Sequence, residues 1–376
     1  MRILLTTDTI GGVWTFSKDL TQQLLDRGHS VALVSFGRMP SGDQLAWANR
    51  MAEEHSSDFL FRAFDVPLEW MQNNHDAYER SAEALIDVAD CFGPDLLHAN
   101  QYCLGAVLLD IPRLITAHSD VLSWAAVCRP NGLEASSWVK RYKAIVQRGL
   151  DASDAVAAPT KWMSLALKQN FSVKKQIAIV PNGRTLGRTS TLTQRQMQAV
   201  TAGRLWDEGK GLSTLLEIQA QVQLLIAGEE NFGHTAAPRH DSIRSLGVLS
   251  EEQVHSLFYS SAIYVATSIY EPFGLAPLEA ALCGCALVLR DLPSLREVWG
   301  EAATYFTDAS GLESALAVLS TNHAKLTRAQ QHATEKAKYY SAARMTNMYL
   351  NLYRRVINGD EAAPWTTDEE LAAHVA

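Results

Sequence analysis

In the first forty residues of the chain, short apolar segments alternate with a segment whose apolar residues recur at helical spacing. The pattern predicts a strand from Ile3 to Thr7, a turn at 8–12 and a second strand from Val31 to Phe36. Between the strands, apolar side chains recur every three or four residues up to Arg27-Gly28, as in an amphipathic helix. We therefore expect a β-α-β unit, with the pair Gly11-Gly12 where the first strand meets its helix.

The same alternation continues along the chain, with one interruption. Apolar segments that end in polar residues predict further strands at 95–100, 114–120, 154–160, 199–205, 223–228, 262–268, 285–291 and 304–308. Helical segments lie between them, and such alternation is typical of parallel sheets that are covered on both faces. The interruption at 183–198 is rich in Gly, Thr and Arg with little apolar periodicity, so we interpret it as a linker.

The pattern predicts an α/β chain of two Rossmann-like doubly wound domains. Residues 1–182 form the first domain and residues 199–336 the second, because 376 residues are too many for one ordinary core. One helical run from about Ala337 to Ile357 follows the second domain. Ligands of open α/β sheets bind beyond the carboxyl ends of the strands, so we expect the active site in a cleft between the two domains.

Composition and charge exclude several classes of protein. The formal net charge of -8 argues against a nucleic-acid partner. Five cysteines in a chain of this length do not form a disulfide framework. The apolar start is too short for a signal peptide, and no stretch approaches the roughly 18 apolar residues of a membrane span. We therefore expect a cytoplasmic protein without a transmembrane segment.

The sequence carries no metal or dinucleotide motif. The patterns H-x-x-x-H, C-x-x-C and D-x-D do not occur, so we expect neither an essential metal nor another cofactor. The first turn lacks G-x-G-x-x-G, and the strand that ends at Phe36 is followed by Gly37 where a dinucleotide-binding domain has an acid for the ribose. Binding of NAD is therefore disfavoured.

Residues 270–285, YEPFGLAPLEAALCGC, place two acids around a predicted helix entrance. Pro277 suits the first turn of a helix, and we expect Glu279 in that turn and Glu271 on the strand side of the loop. Free backbone N–H groups at 273–275 would then favour an anion. Carboxylates accept hydrogen bonds from paired hydroxyls, so this arrangement suits a nucleotide-diphosphate sugar. Alternatively, Glu279 only complements the helix dipole and Glu271 is solvated.

The stretch E-P-F-G-L-x-x-L-E resembles the donor-site signature of the retaining family 4 glycosyltransferases. That family has the GT-B fold, in which two Rossmann-like doubly wound domains face a central cleft. The resemblance covers nearly the whole chain. Other matching segments are Gly11-Gly12, Thr116-Ala117-His118, Val180-Pro181-Asn182-Gly183, Gly203-Arg204-Leu205 with Lys210-Gly211, and Pro293 to Val298.

The resemblance implies an activity and a domain arrangement. A sugar would pass from a nucleotide-diphosphate sugar to an acceptor hydroxyl, with retention of anomeric configuration and without a metal. The acceptor would be a small molecule, a glycan or a lipid-linked molecule. The C-terminal region, about 337–376, would pack back on the N-terminal domain. The basic stretch 139–148 could face a membrane, but a solvated helix face is the interpretation that we prefer.

The resemblance also implies roles for residues of the second half of the chain. Arg204 and Lys210 would neutralise the leaving diphosphate. Glu271 would bind hydroxyls of the transferred sugar, and Glu279 would bind the ribose. The backbone of Phe273, Gly274 and Leu275 would hold the sugar and the distal phosphate. Alternatively, Arg204 and Lys210 are ordinary surface charges.

In the first half of the chain, the resemblance gives roles to Gly12 and His118. Gly12 would let the backbone approach the phosphates, and His118 would lie near the reaction centre. Trp14 and Trp124 are candidates to stack on an acceptor sugar, although core packing is an alternative for both. His118 alone could equally be a structural histidine.

Two other functions remain open at this point. A retaining disaccharide phosphorylase of the same fold would use inorganic phosphate and release a sugar-1-phosphate. A non-catalytic nucleotide-sugar-binding protein would bind the donor without turnover.

Overall fold

The computed structural model describes residues 1–72, 76–129, 131–133, 136–187, 195–204, 206–219, 221–228 and 242–360. These residues divide into two compact units. The first unit contains Met1–Asp120, Leu133–Pro181 and the described residues from Met345 onward. The second unit contains Val121–Gly132 and Asn182–Arg344. The segment Val121–Gly132, which the sequence pattern places in the first domain, therefore groups with the second unit.

A parallel sheet of seven strands organises the first unit, in the order β3-β2-β1-β4-β5-β6-β7. Its strands are β1 (Arg2–Asp8), β2 (Ser30–Phe36), β3 (Phe59–Phe64), β4 (Leu96–Ala99), β5 (Arg113–Thr116), β6 (Ala155–Ala158) and β7 (Ile177–Ile179). The helices up to this point are α1 (Gly12–Leu25), α2 (Gly42–Glu54), α3 (Ala77–Phe92), α4 (Val121–Cys128), α5 (Ser137–Ala152) and α6 (Lys161–Asn170), and a 3-10 turn covers Tyr102–Ala106.

A parallel sheet of six strands organises the second unit, in the order β10-β9-β8-β11-β12-β13. Its strands are β8 (Gln196–Ala202), β9 (Gln223–Ala227), β10 (Ile243–Gly247), β11 (Ser261–Ala266), β12 (Ala286–Arg290) and β13 (Thr304–Phe306). The remaining helices are α7 (Ser213–Glu217), α8 (Glu251–Ser260), α9 (Leu275–Leu282), α10 (Pro293–Trp299), α11 (Ala309–Thr321), α12 (His323–Lys338) and α13 (Ala342–Asn358), with 3-10 turns at Glu208–Lys210 and Gly300–Ala302.

The predicted architecture is confirmed. Strands β1, β2 and β11 consist almost wholly of buried residues, as expected for parallel strands that helices cover on both faces. One apolar core lies between the first sheet and α1, where Phe16, Leu20 and Leu24 are fully buried. Each such side chain contributes about 1.5–3 kcal/mol through its removal from water.

The last helical run differs from the prediction. It is not continuous from Ala337, because α12 ends at Lys338 and α13 begins at Ala342. The hydroxyl of Ser341 accepts a hydrogen bond from the backbone N–H of Arg344 at 3.2 Å, and a helix starts well after such a serine. The predicted linker is also shorter at its C-terminal end, because β8 begins at Gln196; its residues 188–194 lie outside the described part of the chain.

A buried polar network joins α13 to the sheet of the first unit. The imidazole of His98 on β4 contacts the hydroxyl of Tyr353 at 2.7 Å and the hydroxyl of Thr116 at 2.7 Å. Thr116 in turn contacts the hydroxyl of Tyr349 at 3.0 Å. These contacts and apolar side chains such as Leu352 make α13 part of the core of the first unit. Across the described residues, no helix combines the length and the apolar character needed to cross a membrane.

The Tyr353–His98 contact should contribute measurably to stability. In Tyr353→Phe, the buried Nδ1 of His98 loses its partner, and we expect the free energy of unfolding to fall by about 1–3 kcal/mol in urea. Tyr339→Phe is the matched control, since it removes a hydroxyl that Arg344 contacts at the surface and should cost much less. Equal losses in the two variants would contradict a structural role for the network.

Candidate functional site

The loop after β11 turns sharply into α9 at Gly274. This glycine precedes the helix with φ 93°, a left-handed conformation that L side chains rarely adopt. A Cβ at this position would also lie 3.2 Å from Leu295 Cδ2 and from Pro277 Cγ. Pro277 is the third residue of α9, which confirms its predicted place in the first turn. The turn therefore requires glycine, and Leu275 is the first residue of the helix that follows it.

Glu279 lies one turn further along α9 than the sequence predicts. It is the fifth residue of the helix, and the first turn contains no acid. The interaction with the helix dipole falls off within the first turn. The position of Glu279 therefore disfavours the alternative in which its carboxylate only complements the dipole. Phe273 has a buried side chain that packs edge-on against Tyr340 at 5.6 Å between ring centroids. A ligand could therefore meet Phe273 only through its backbone.

A buried arginine holds the carboxylate of Glu279. Nε of Arg184 lies 2.9 Å from Glu279 Oε1, and the side chain of Arg184 is only 1% exposed. The same guanidinium donates to Glu251 Oε1 at 2.8 Å. Nε2 of His255 lies 3.9 Å from the other oxygen of Glu279. These contacts thus hold the carboxylate of Glu279, whose side chain is 14% exposed, in position.

A short ion pair joins Lys210 to Glu271. Nζ of Lys210 lies 2.6 Å from Glu271 Oε2, and Ser268 donates its hydroxyl to the same oxygen at 3.1 Å. Ser294 on α10 donates its hydroxyl to the backbone carbonyl of Glu271 at 2.6 Å. Two residues that are 61 positions apart in the sequence therefore meet at the carboxyl ends of β8 and β11.

The backbone of the loop after β8 brings Lys210 to this position. The carbonyl of Gly209 accepts hydrogen bonds from the backbone N–H groups of Ile269 at 2.8 Å and Tyr270 at 3.2 Å. Thr267 donates its hydroxyl to the carbonyl of Lys210 at 2.9 Å. Gly211 has φ 57°, and a Cβ there would lie 2.4 Å from the Thr267 carbonyl oxygen. The loops after β8 and β11 consequently form one hydrogen-bonded layer.

Arg204 joins the same layer through Asp207. The guanidinium of Arg204 donates to Asp207 Oδ2 at 2.9 Å, while Oδ1 accepts from the backbone N–H of Gly209 at 2.9 Å and from Nε1 of Trp124 at 3.1 Å. Trp124 on α4 is partly exposed, and the guanidinium of Arg129 lies 5.4 Å from its ring centroid. The structure thus places Trp124 beside Arg204, within the second unit.

His118 lies in the first unit, just beyond the carboxyl end of β5. Its Nε2 contacts Asn100 Oδ1 at 2.9 Å, and its ring packs edge-on against Phe16 at 4.6 Å. The amide nitrogen of Asn100 donates to the carbonyl of Thr6 at 2.7 Å, so the amide oxygen faces His118 and Nε2 carries the proton. Burial lowers the pKa of His118 to about 3, and the ring is neutral at pH 7.

The two remaining predicted residues lie on α1. Gly12 is its exposed first residue, directly after Gly11 with φ 78°. Trp14 is only 7% exposed and packs edge-on against Trp47 at 5.6 Å and Phe61 at 6.1 Å. No ring face of Trp14 is open to a sugar. We therefore assign Trp14 to the core and not to an acceptor site.

Three residues that orient side chains of the candidate site were not identified from the sequence. Asn100, which orients His118, could have been found as a polar residue directly after a strand. Asp207, which holds Arg204, precedes a glycine-containing turn in a way typical of a side chain that binds its own backbone. Arg184 gave no signal, because it lies in the stretch that we interpreted as linker.

Among the described residues, no group of three His, Cys, Asp or Glu side chains is placed to hold a metal.

Comparison with known proteins identifies the class to which these two units belong. The chain has the two-domain, Rossmann-like α/β architecture of the GT-B glycosyltransferases. Residues 10–188 match the family model Glycosyltransferase Family 4, and residues 196–322 match Glycosyl transferases group 1. The chain belongs to the family 4 glycosyltransferases, and it is a glycosyltransferase. The predicted family and fold are therefore confirmed.

Individual proteins support this assignment. The alpha-maltose-1-phosphate synthase of Mycolicibacterium smegmatis is 23% identical over 299 residues, which cover 67% of this chain and 75% of that protein. Sucrose-phosphate synthase of Thermosynechococcus elongatus superposes with a TM-score of 0.73 at 18% identity, covering 96% of this chain and 100% of that one. Anabaena HepE in complex with UDP and glucose gives a TM-score of 0.68 at 16% identity, with 94% and 99% coverage.

The low pKa of His118 makes stability depend on pH in a defined direction. The unfolded chain binds a proton near pH 6.5 and the folded chain only near pH 3, so stability is fully present above about pH 6.5 and is lost as the pH falls. Burial of His98 lowers its pKa to about 3 as well.

We expect His118→Gln to reduce the slope of unfolding free energy against pH between pH 5.5 and 6.5 by up to one proton. The measurement is urea unfolding at several pH values. His323→Gln, on the exposed start of α12, is the control for a histidine at the surface. An undiminished slope in His118→Gln would show that this histidine takes up a proton in the folded state.

Proposed function

We propose that the chain transfers a sugar from a nucleotide-diphosphate sugar to an acceptor hydroxyl, with retention of anomeric configuration and without a metal. The observation that carries the proposal is the short Lys210–Glu271 pair next to the N-terminus of α9. It places a cation and a carboxylate beside the N-terminus of a helix, as a ligand with both phosphates and hydroxyls requires. The complex of HepE with UDP and glucose, a protein of the same fold, supports this ligand class.

The donor would lie along the second unit with its diphosphate at the N-terminus of α9. Lys210 and Arg204 would neutralise the diphosphate, while the backbone of Phe273, Gly274 and Leu275 would donate hydrogen bonds to it. Glu271, which already accepts from Ser268, would accept from hydroxyls of the transferred sugar. Glu279 would accept from the ribose, and its contact with Arg184 would keep the carboxylate in place.

The chemistry would rest on stabilisation of the leaving group. As the bond to the sugar breaks, negative charge develops on the diphosphate while the sugar gains oxocarbenium character. A preorganised cation such as Lys210 stabilises that charge without reorganisation. The acceptor would attack from the face that the diphosphate leaves, and a phosphate oxygen of the donor would take its proton. His118, neutral and with Nε2 hydrogen-bonded to Asn100, would not serve as the acid.

Substitution of the two donor contacts tests the assignment. In Lys210→Ala, we expect the turnover of a nucleotide sugar to fall by about 100-fold or more, the usual loss when one preorganised contact to developing charge is removed. In Glu279→Ala, which removes a contact to the ribose, we expect turnover at low donor concentration to fall mainly through weaker donor binding. The assay follows nucleotide release with an acceptor present. Lys325→Ala, on the exposed start of α12, is the matched control and should retain full activity.

Unchanged turnover in both variants would refute the donor assignment. Release of a sugar-1-phosphate from a disaccharide and inorganic phosphate, without any nucleotide, would instead identify a phosphorylase. Tight binding of a nucleotide sugar without turnover of any acceptor would identify a non-catalytic protein.

Ligand-induced stabilisation tests the donor class directly. A ligand that binds only the folded chain stabilises it by about 2.7 kcal/mol at 100 times its Kd, so the Tm should rise with one of UDP, GDP or ADP or the corresponding sugar derivatives. We expect the shift to be insensitive to EDTA and much smaller in Lys210→Ala. The absence of a shift with every nucleotide at millimolar concentration, or its loss in EDTA, would contradict the proposal.

A further inference from the structure

Helix α4 contacts the loop that carries the two proposed diphosphate-binding cations, Arg204 and Lys210. By sequence position α4 belongs to the first half of the chain, but it groups with the second unit, in which this loop lies. Its contacts fall on the 3-10 turn Glu208–Lys210 and on the residue before that turn, Asp207. No donor contact assigned above comes from α4.

Asp207 connects both cations through its backbone and its side chain. Its backbone N–H donates to the carbonyl of Arg204 at 3.1 Å, and its carbonyl accepts from the backbone N–H of Lys210 at 2.8 Å. Its Oδ2 accepts from the guanidinium of Arg204 at 2.9 Å, and its Oδ1 accepts from the backbone N–H of Gly209 at 2.9 Å. The positions of both cations therefore depend on where Asp207 is held.

The indole of Trp124 on α4 holds Asp207 from outside this loop. Its Nε1 donates to Oδ1 of Asp207 at 3.1 Å, and the side chain of Asp207 is only 14% exposed. The ring packs directly on Gly209, because a Cβ there would lie 3.1 Å from Nε1 and 3.4 Å from Cδ1 of Trp124. A hydrogen bond to a charged group that is largely shielded from water is among the stronger contacts in a protein.

A second contact between α4 and the loop is weaker. A guanidinium nitrogen of Arg129, the residue after α4, lies 3.0 Å from Glu208 Oε1, but the two side chains are 49% and 47% exposed. Exposed ion pairs contribute little, because water screens the charges and two long side chains lose freedom. The guanidinium of Arg129 also lies 5.4 Å from the ring centroid of Trp124. We therefore attribute the hold of α4 on the loop to Trp124.

We propose that Trp124 is a positioning residue for the transfer, which fixes Asp207 and thereby holds Arg204 and Lys210 where the diphosphate leaves. This inference rests on the proposed function, since it assumes that the two cations neutralise the diphosphate. Preorganised charges stabilise a transition state because they need not move as charge develops. A loop that is free to shift would lose part of that effect. Trp124 would then serve the donor and would not stack on an acceptor sugar.

Two substitutions separate the N–H group of Trp124 from its bulk. Trp124→Phe keeps an aromatic ring against Gly209 and removes the donor. Trp124→His is smaller than Phe, but its Nε2 occupies nearly the same place in the five-membered ring as the indole Nε1 and can donate to Asp207. The measurements are the Kd of UDP, GDP and ADP by calorimetry, and kcat and KM for nucleotide release from UDP-glucose, GDP-mannose and ADP-glucose.

We expect Trp124→Phe to lower kcat for the active donor by about tenfold, with a smaller change in KM, and to weaken binding of the nucleoside diphosphate. Trp124→His should recover most of both losses, although Phe is the better apolar substitute. In the Asp207→Ala background, Trp124→Phe should have little further effect, because Trp124 acts through Asp207. Trp138→Phe is the matched control: its Nε1 donates to the carbonyl of Met71 at 3.1 Å in the first unit, and its loss should leave kcat unchanged.

Full activity in Trp124→Phe, or a loss that Trp124→His does not reduce, would overturn the inference. Losses of Trp124→Phe and Asp207→Ala that simply multiply in the double variant would overturn it as well. Trp124 is partly exposed. Should Trp124→Phe nevertheless not fold, a loss of kcat by about tenfold in Trp124→His would overturn the inference by itself.

The Lys210→Ala variant separates this inference from the proposed function. Full turnover in Lys210→Ala, or the absence of binding by every nucleoside diphosphate, would overturn both. Loss of turnover in Lys210→Ala together with full turnover in Trp124→Phe would overturn only the role of Trp124.

Discussion

The candidate donor site depends on hydrogen bonds between two loops that follow neighbouring parallel strands. The carbonyl of Gly209 receives the backbone N–H groups of Ile269 and Tyr270, and Thr267 binds the carbonyl of Lys210. Because parallel strands end at the same edge of a sheet, loops from β8 and β11 can meet in this way although they are far apart in the sequence. The pairing of Lys210 with Glu271 follows from this backbone arrangement.

Most of the fold could be predicted because parallel strands in these sheets are nearly continuous apolar runs. The strands that the pattern missed are β3, β7 and β10, and all three lie at sheet edges. An edge strand pairs with one neighbour only. Of these three, β10 has the mixed sequence IRSLG, β3 is apolar but mostly only half-buried, and β7 is only three residues long. The place of Glu279 was misjudged for a local reason. Pro277 is tolerated at the third position of α9, since the first four N–H groups of a helix have no internal partner.

From the sequence, only the charged side chains and the glycines of the candidate site could be predicted. The residues that orient those side chains, Asn100, Asp207 and Arg184, are ordinary polar residues whose importance depends on contacts across the fold. Trp14 was a candidate to stack on an acceptor sugar because it follows the glycine pair, but its side chain is buried in the core. Burial is a property of the whole unit, and a local pattern does not determine it.

Two of the histidines in the first unit, His98 and His118, take part in its polar interior in different ways. His98 uses both ring nitrogens to join β4, β5 and α13, so it is committed to the fold. His118, held by Asn100 and Phe16, shares with it a pKa lowered by burial. The proposed transfer, in which a phosphate oxygen of the donor takes the proton, would require no charged histidine, and the neutral rings of His98 and His118 agree with it.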